Sequence, residues 1–233
     1  MLSPGEVIMS EFAKVYAVVE GKTEQLFIKR ILEPYLNSKN VFLYATQLSK
    51  PGQKGGDVKF VRVKKDIGAF LKQRSDTWVT LLVDYYGIDA NWPGYAQVKH
   101  YNDHTRKFEV MCQKTKQEID KLFAAEDAAR RFIPYVSMHE LEALLFSDPK
   151  ILAEALQVQQ KEIVAILAEC IEPEAINDNP DTAPSKRLES LFPGFKEEKT
   201  RAGIDIAEKI GIDAMRKACP LFSAWIKQLE SLR

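Results

Sequence analysis

The chain has 233 residues, of which 45% are hydrophobic and 28% are charged, an ordinary balance for a globular protein. Lysine plus arginine equals aspartate plus glutamate at 33 each, which argues against a surface built as a whole to coat nucleic acid but allows a local basic groove. The 3 cysteines are far apart and form no Cys-x-x-Cys pair, so the sequence indicates neither a disulfide framework nor a zinc knuckle and favours a reducing cytoplasm.

An apolar leader is not expected from the first residues of this sequence. The first dozen residues include Glu6 and Glu11, and no later stretch approaches the roughly 18 uninterrupted apolar residues of a spanning helix. The sequence therefore predicts neither a signal peptide nor a membrane span, and we expect a cytoplasmic protein with no membrane partner.

Short apolar runs alternate with helical stripes between residues 14 and 147, which predicts a parallel sheet flanked by helices. The strand candidates are Lys14 to Val19, Val41 to Gln47, Trp78 to Tyr85 and Phe132 to Met138. Later segments indicate helices only, over residues 150–156, 161–170, 185–191, 200–210 and 213–232. We expect an α/β domain over residues 1–148 and a helical C-terminal subdomain over residues 149–233.

Two carboxylates, Glu20 and Glu24, follow the first predicted strand and flank a glycine that lets the backbone turn sharply. Ligands of open α/β sheets bind at the carboxyl ends of strands, so this position favours a divalent cation. The segment also resembles the end of a phosphate-binding loop, but the first glycine of that motif would fall at Tyr16, inside the strand, and we reject it. An ordinary turn, in which Thr23 caps the helix and Glu24 favours its positive end, is the alternative.

Further carboxylates are predicted at the same edge of the sheet. Asp84 ends an apolar run typical of a central strand, and Glu140 and Glu142 follow the fourth strand. Hard cations such as Mg²⁺ or Mn²⁺ prefer oxygen ligands, and crowded carboxylates repel one another without a cation. Residues two apart on a helix face different ways, so we favour Glu142 as a ligand over Glu140. The predicted metal ligands are Glu20, Glu24, Asp84 and Glu142.

One histidine, His139, precedes this acidic pair. A single histidine at such a position more often positions its neighbours through a hydrogen bond than ligates a metal. None of the histidines has a convincing nucleophile beside it. The sequence therefore offers no catalytic serine or cysteine arrangement as an alternative to a metal-dependent mechanism.

Basic residues are concentrated between Lys50 and Arg74, a local excess that suits a phosphate backbone, although a solvated helix face is the alternative. A second basic group lies in the helical part of the chain and consists of Lys186, Arg187, Lys196, Lys199 and Arg201. The predicted nucleic-acid-binding residues are Lys54, Lys59, Arg62, Lys186 and Arg187. Aromatic residues in the connection over residues 86–103, Trp92, Tyr95 and Tyr101, either stack on bases or pin this connection to the core.

Several motifs across nearly the whole chain resemble the bacterial domain-of-unknown-function family 4276. They are Glu20 to Glu24, Asp84-Tyr-Tyr-Gly87, Ser137-Met-His-Glu-Leu-Glu-Ala-Leu-Leu-Phe146, Thr182-Ala-Pro-Ser-Lys-Arg-Leu188 and Cys219-Pro-Leu-Phe-Ser-Ala-Trp225. The first 150 or so residues are similar, more broadly, to the Toprim fold of topoisomerases, primases and overcoming-lysogenization-defect nucleases.

This resemblance implies a Toprim-like, mostly parallel sheet flanked by helices, with a C-terminal helical appendage. It further implies a magnesium-dependent nuclease or phosphotransfer enzyme acting on nucleic acid, DNA in preference to RNA, in anti-phage defence. An ATPase encoded alongside is an implied partner. By the same resemblance, the catalytic residues are Glu20, Asp84 and Glu142. Asp84 would correspond to the first aspartate of an Asp-x-Asp pair.

The chain departs from the Toprim pattern at Tyr86, where the second aspartate would fall. A phenol is neutral at pH 7 and a poor magnesium ligand, so the set lacks one carboxylate unless Glu24, Glu140 or Asp89 replaces it. The alternative function is therefore a non-catalytic Toprim-like module that binds nucleic acid or an ATPase. A small-phosphate hydrolase is a third interpretation.

Overall fold

The fold is an α/β arrangement built on a four-stranded parallel sheet, seen in a computed structural model that describes residues 12–48, 58–176 and 182–232. The strands are β1 (Ala13–Val19), β2 (Val41–Gln47), β3 (Thr77–Asp84) and β4 (Phe132–Ser137), in the order β2-β1-β3-β4. All pairs are parallel. Each predicted strand is confirmed to within one residue at either end.

Helices connect and cover these strands. The helices up to β4 are α1 (Lys22–Phe27), α2 (Glu33–Asn37), α3 (Phe60–Gln73), α4 (Tyr95–Val98), α5 (His104–Leu122) and α6 (Ala128–Arg131). A π-helical turn, Ile28–Leu32, joins α1 to α2, and 3₁₀ turns span Tyr85–Gly87, Ala124–Glu126, Leu141–Ser147 and Pro173–Ala175. The remaining helices are α7 (Pro149–Leu156), α8 (Gln160–Cys170), α9 (Pro184–Leu191), α10 (Phe195–Ile210), α11 (Ile212–Ala218) and α12 (Pro220–Glu230).

The single helix predicted over residues 213–232 is wrong, because the structure has two helices, α11 and α12, in this segment. Pro220 lacks a backbone N–H and its ring clashes with the preceding turn, so it ends one helix and suits the first position of the next. No helix in the described part of the chain is long and apolar enough to cross a membrane.

Hydrophobic residues pack against both faces of the sheet. On one face, Val15 and Val19 of β1 share a core with residues of α1, α10 and α12. On the other face, Val18 of β1 and Val83 of β3 pack with α3 and α5. Because both faces are covered, β1 and β3 are apolar almost throughout. The helices after residue 148 thus share a core with the sheet, and the proposed division at residue 148 stays a prediction.

Trp225 of α12 is the largest side chain that anchors these later helices to the sheet. It is 1% exposed, and its ring stacks on Tyr135 of β4 with centroids 4.7 Å apart. Its indole N–H donates a hydrogen bond of 2.9 Å to the Thr80 hydroxyl, which donates in turn to the carbonyl oxygen of Ile133. The Trp225 side chain thus attaches α12 to β3 and β4 through both packing and hydrogen bonds.

Replacing Trp225 by alanine should therefore lower the free energy of unfolding by about 3 to 5 kcal/mol, the usual cost of emptying a large buried site. Urea denaturation followed by circular dichroism measures this change. Lys227→Ala, at an exposed position of the same helix, should alter it by less than about 0.5 kcal/mol. A loss below about 1 kcal/mol for Trp225→Ala would show that α12 does not anchor to the sheet.

Candidate functional site

Carboxylates from three strand ends line one open cavity of about 400 Å³ at the carboxyl edge of the sheet. Residues after β1, at the end of β3 and after β4 all reach it, because parallel strands end at the same edge. The carboxylates are Glu20, Glu24, Asp84, Glu140 and Glu142. The structure thus brings together all of the predicted metal ligands, and their role as ligands stays a prediction.

The loop after β3 holds Glu20 in place. The backbone of Gly87 passes so close to this carboxylate that a Cβ at residue 87 would lie 2.6 Å from Glu20 Oε2. The loop is fixed by a parallel bridge between Val58 and Ile88 and by a hydrogen bond of 2.7 Å from Val58 N–H to the Gly87 carbonyl. Sequence reasoning quoted Gly87 in a motif but assigned it no role, although a glycine after a strand-end aspartate is a signal of close approach.

The turn into α1 uses one carboxylate oxygen of the site. Glu24 Oε2 accepts a hydrogen bond of 2.9 Å from Gly21 N–H, which satisfies a donor at the start of the helix. The alternative in which Thr23 caps α1 is wrong, because the N-cap is Gly21 and the Thr23 hydroxyl instead hydrogen bonds to that of Thr200 on α10, at 2.9 Å. Glu24 therefore both caps α1 and faces the cavity.

Glu140 and Glu142 face the same cavity, and the argument that they must face different ways is wrong. Glu140 precedes the 3₁₀ turn with an extended ψ of 153°, so helical periodicity does not apply to it. The Lys199 ammonium of α10 bridges the two carboxylates, 3.4 Å from Glu140 and 3.2 Å from Glu142. Glu140 also accepts a hydrogen bond of 2.8 Å from the backbone N–H of Ser185, at the start of α9.

Lys199 is a residue of this site that sequence reasoning missed. It was counted only in a general basic group, because nothing in its own helix distinguishes it from Lys196. Burial lowers its pKa, but the carboxylates of Glu142 and Glu140 outweigh burial and raise the pKa above the usual value. The side chain therefore stays charged and neutralises part of the acidic cavity.

Negative charge is nevertheless in excess, and its effect is strongest on Asp84. Burial raises the pKa of Asp84 well above its usual range, and the charges of Glu24, Glu20, Glu142 and Glu140 raise it further. Among the described residues, its Oδ1 atom is buried and has no hydrogen-bond partner. Burial likewise raises the pKa of Glu142 to about 7, although Lys199 lowers it. A bound cation would relieve both effects.

The donor set fits a hard divalent cation, since the cavity offers carboxylate oxygens and one of them lacks a partner. However, within the ranges that the structure describes, no three carboxylate, imidazole or thiol groups lie close enough together to hold one ion. Tyr86 lines the same cavity and is 39% exposed. Cation binding would therefore require the carboxylate side chains to move closer together.

His139 lies behind the open cavity, in a small internal cavity that Asp84, Ser137 and Glu174 also line. Burial, with smaller contributions from His104 and Lys107, lowers the pKa of His139 to about 3, so the ring is neutral. The backbone of Glu174 opposes this shift, although within the described chain neither ring nitrogen forms a hydrogen bond of good geometry. The structure places His139 beside Asp84 but not in the open cavity.

The predicted nucleic-acid-binding residues are dispersed. Lys54 lies outside the described residues, and Lys59 and Arg62 lie at the start of α3, next to the bridge that fixes the loop of Gly87. Lys186 pairs with Glu189 at 2.7 Å, and Arg187 pairs with Glu169 at 2.9 Å and donates to the Thr182 carbonyl. Binding of phosphate by these last two would compete with ion pairs inside the protein.

The hypothesis that Trp92 stacks on nucleic-acid bases is wrong. The alternative, that this side chain attaches the connection to the core, is correct. Trp92 is 2% exposed, packs edge-on against Phe60 and donates a hydrogen bond of 2.8 Å to Thr115. Tyr95 stacks on Tyr85, with centroids 5.5 Å apart. These aromatic side chains fix the connection between β3 and α5 to the core.

Comparison with known proteins assigns a family. The family model for the domain of unknown function DUF4276 matches residues 19–230. The chain belongs to the DUF4276 family. This match covers β2, β3 and β4, only the last residue of β1, all of the carboxylates above and Lys199.

Other comparisons add little to this DUF4276 assignment. Among solved structures, the C-terminal region of the OLD protein of Xanthomonas campestris pv. campestris is similar over 94% of this chain and 98% of that one. The identity is 13% and the TM-score 0.33, so this likeness carries no argument about the site. A search of curated proteins found no match.

The raised pKa of Glu142 gives a prediction about pH. In the folded protein the pKa of Glu142 is about 7, whereas an ordinary glutamate, as in the unfolded chain, has a pKa of 4.5. Between these two pH values the folded state therefore binds more protons than the unfolded state. Without divalent cations, the free energy of unfolding should fall as pH rises through this window. The loss from this group is about 3 kcal/mol, since each pKa unit is worth about 1.4 kcal/mol.

Urea denaturation in EDTA at several pH values measures this dependence for the wild type and for Glu142→Gln. The variant should lose markedly less stability across the window, because its side chain does not titrate. Glu174, whose pKa burial also raises to about 7, titrates in both proteins and contributes equally. Identical pH dependence in the two proteins would contradict a raised pKa at Glu142.

Proposed function

We propose that this DUF4276 protein is a metal-dependent hydrolase of phosphodiester bonds in nucleic acid, with Mg²⁺ or Mn²⁺ as its cofactor. The observation that supports this proposal is the convergence of carboxylates around Asp84, whose pKa burial and the neighbouring charges raise well above its usual range. Such an arrangement destabilises the folded protein unless positive charge is supplied. Proteins maintain strongly perturbed groups in an open cavity most often for function.

Of the carboxylates that line the cavity, Asp84, Glu20, Glu24 and Glu142 would hold the cation, whereas Glu140 accepts the hydrogen bond from Ser185 N–H. A bound divalent cation supplies the charge that stabilises the attacking and leaving oxygens of the phosphodiester. Water adds to phosphorus and one ester bond breaks, which leaves a phosphate monoester and a hydroxyl end. Lys199 would contribute a second positive charge at the same cavity, where its ammonium can contact a phosphate oxygen.

A non-catalytic module that binds nucleic acid or an ATPase is the second candidate. Tyr86 replaces a carboxylate, and no three ligating groups of the described chain are preassembled, which favours this candidate. The ATPase partner, the role in phage defence and the preference for DNA stay predictions from the resemblance.

The first test is the response of thermal stability to metal. Mn²⁺ at millimolar concentration should raise the melting temperature of the wild type by several degrees and that of Asp84→Asn by almost nothing. Without metal, Asp84→Asn should be as stable as the wild type or more stable, because its amide cannot carry the charge that burial and the neighbouring carboxylates oppose. Asp213→Asn, at an exposed position of α11 outside the cavity, is the matched control and should respond as the wild type does.

Equal responses of the wild type and Asp84→Asn to metal would contradict the proposed site. The second test is cleavage of supercoiled plasmid and single-stranded oligonucleotide with Mn²⁺, which Asp84→Asn and Glu20→Gln should abolish. Metal binding without cleavage of either polymer would favour the non-catalytic module. Turnover of free nucleotides in place of polymers would favour a small-phosphate hydrolase.

A further inference from the structure

A basic groove lies between α1 and α10, beside the acidic cavity. It has a volume of about 470 Å³ and is lined by Lys22, Arg30, Lys196, Lys199 and Arg201, against two acidic residues, Glu197 and Glu198. The chain as a whole has no net charge, so this excess is a local feature. Such a surface attracts anions.

Three of these cations have no ionic partner among the described residues. Lys22, Lys196 and Arg201 are exposed and form no ion pair within the described part of the chain. By contrast, Arg30 pairs with Asp205 at 2.8 Å and also with Glu208, and Lys199 is held by the acidic cavity. Unpaired cations around one groove repel one another, and an anionic ligand would relieve that repulsion.

The groove adjoins the acidic cavity. Lys22 and Lys199 line both spaces, and the hydrogen bond between the Thr23 and Thr200 hydroxyls joins α1 to α10 where they meet. A polyanion lying in the groove would therefore continue to the carboxylates. A small anion would need only one of the two spaces, so their adjacency favours a chain of phosphates.

We propose that this groove binds the phosphodiester backbone of a nucleic-acid strand on one side of the phosphate to be cleaved, with Lys22, Lys196 and Arg201 contacting its phosphate oxygens. The inference rests on the proposed function, because the acidic cavity is where the strand would be cut. The proposal places the phosphodiester backbone on a surface other than that of Lys186 and Arg187, whose charges already form ion pairs with Glu189 and Glu169. Contacts of this kind give affinity without base specificity.

Binding of a fluorescein-labelled oligothymidylate, followed by fluorescence anisotropy with Ca²⁺ in place of Mg²⁺, tests the proposal. The triple variant Lys22→Ala, Lys196→Ala, Arg201→Ala should bind at least about tenfold more weakly than the wild type. Its plot of log affinity against log salt should lose about two units of slope, since each phosphate contact on a single strand contributes about 0.7. Both proteins should melt at the same temperature, because the three side chains are exposed.

The matched control removes three exposed lysines outside the groove, in the triple variant Lys121→Ala, Lys161→Ala, Lys227→Ala. It should bind within about twofold of the wild type, because distant surface charges are screened. Equal loss in the two triple variants, unchanged binding by the groove variant, or no binding by the wild type would overturn the proposal. So would tight binding of ATP in the groove without binding of the oligonucleotide.

Failure of the groove and failure of the nuclease give different results. If the wild type binds the oligonucleotide through the groove but cleaves no polymer, the proposed role of the groove is retained and the proposed nuclease activity is rejected. If the wild type cleaves polymers and the groove variant cleaves them with unchanged KM, the nuclease stands and the groove is rejected.

Discussion

Repulsion between carboxylates at the carboxyl edge of the sheet is the constraint on which the functional account depends. Asp84 ends the central strand β3 and meets the charges that follow β1 and β4, because the strands are parallel and end together. Its pKa is raised by burial and by those charges. The cores on the two faces of the sheet must hold this unfavourable arrangement in place.

The helices after β4 complete the cavity as well as covering the sheet. Lys199 of α10 bridges Glu140 and Glu142, and the first turn of α9 donates a backbone N–H to Glu140. Trp225 anchors α12 to the same sheet through Thr80. The residues that balance the acidic charge and those that supply it therefore come from different parts of the sequence but share one core.

The strands and the acidic edge could be predicted because each is encoded locally. An apolar run followed by an acidic residue predicts a strand and the group at its end, and parallel pairing brings such groups together, as for Glu20 and Asp84. Lys199 could not be predicted, since it lies 59 residues from Glu140 and only tertiary packing makes it a neighbour. The orientation of Glu140 was missed because the segment begins with an extended residue and continues as a 3₁₀ turn. The end of one helix and the start of the next at Pro220, by contrast, could have been predicted from the sequence, because a proline does not continue a helix.

A crystal structure of the protein soaked with Mn²⁺, with an anomalous difference map, tests the central claim most directly. The account predicts an anomalous peak in the acidic cavity, with oxygens of Asp84 and at least two of Glu20, Glu24 and Glu142 drawn in to ligand distance, about 2 Å for a small divalent cation. A map with no peak in this cavity, or with the peak held by other residues and Asp84 unmoved, would contradict it.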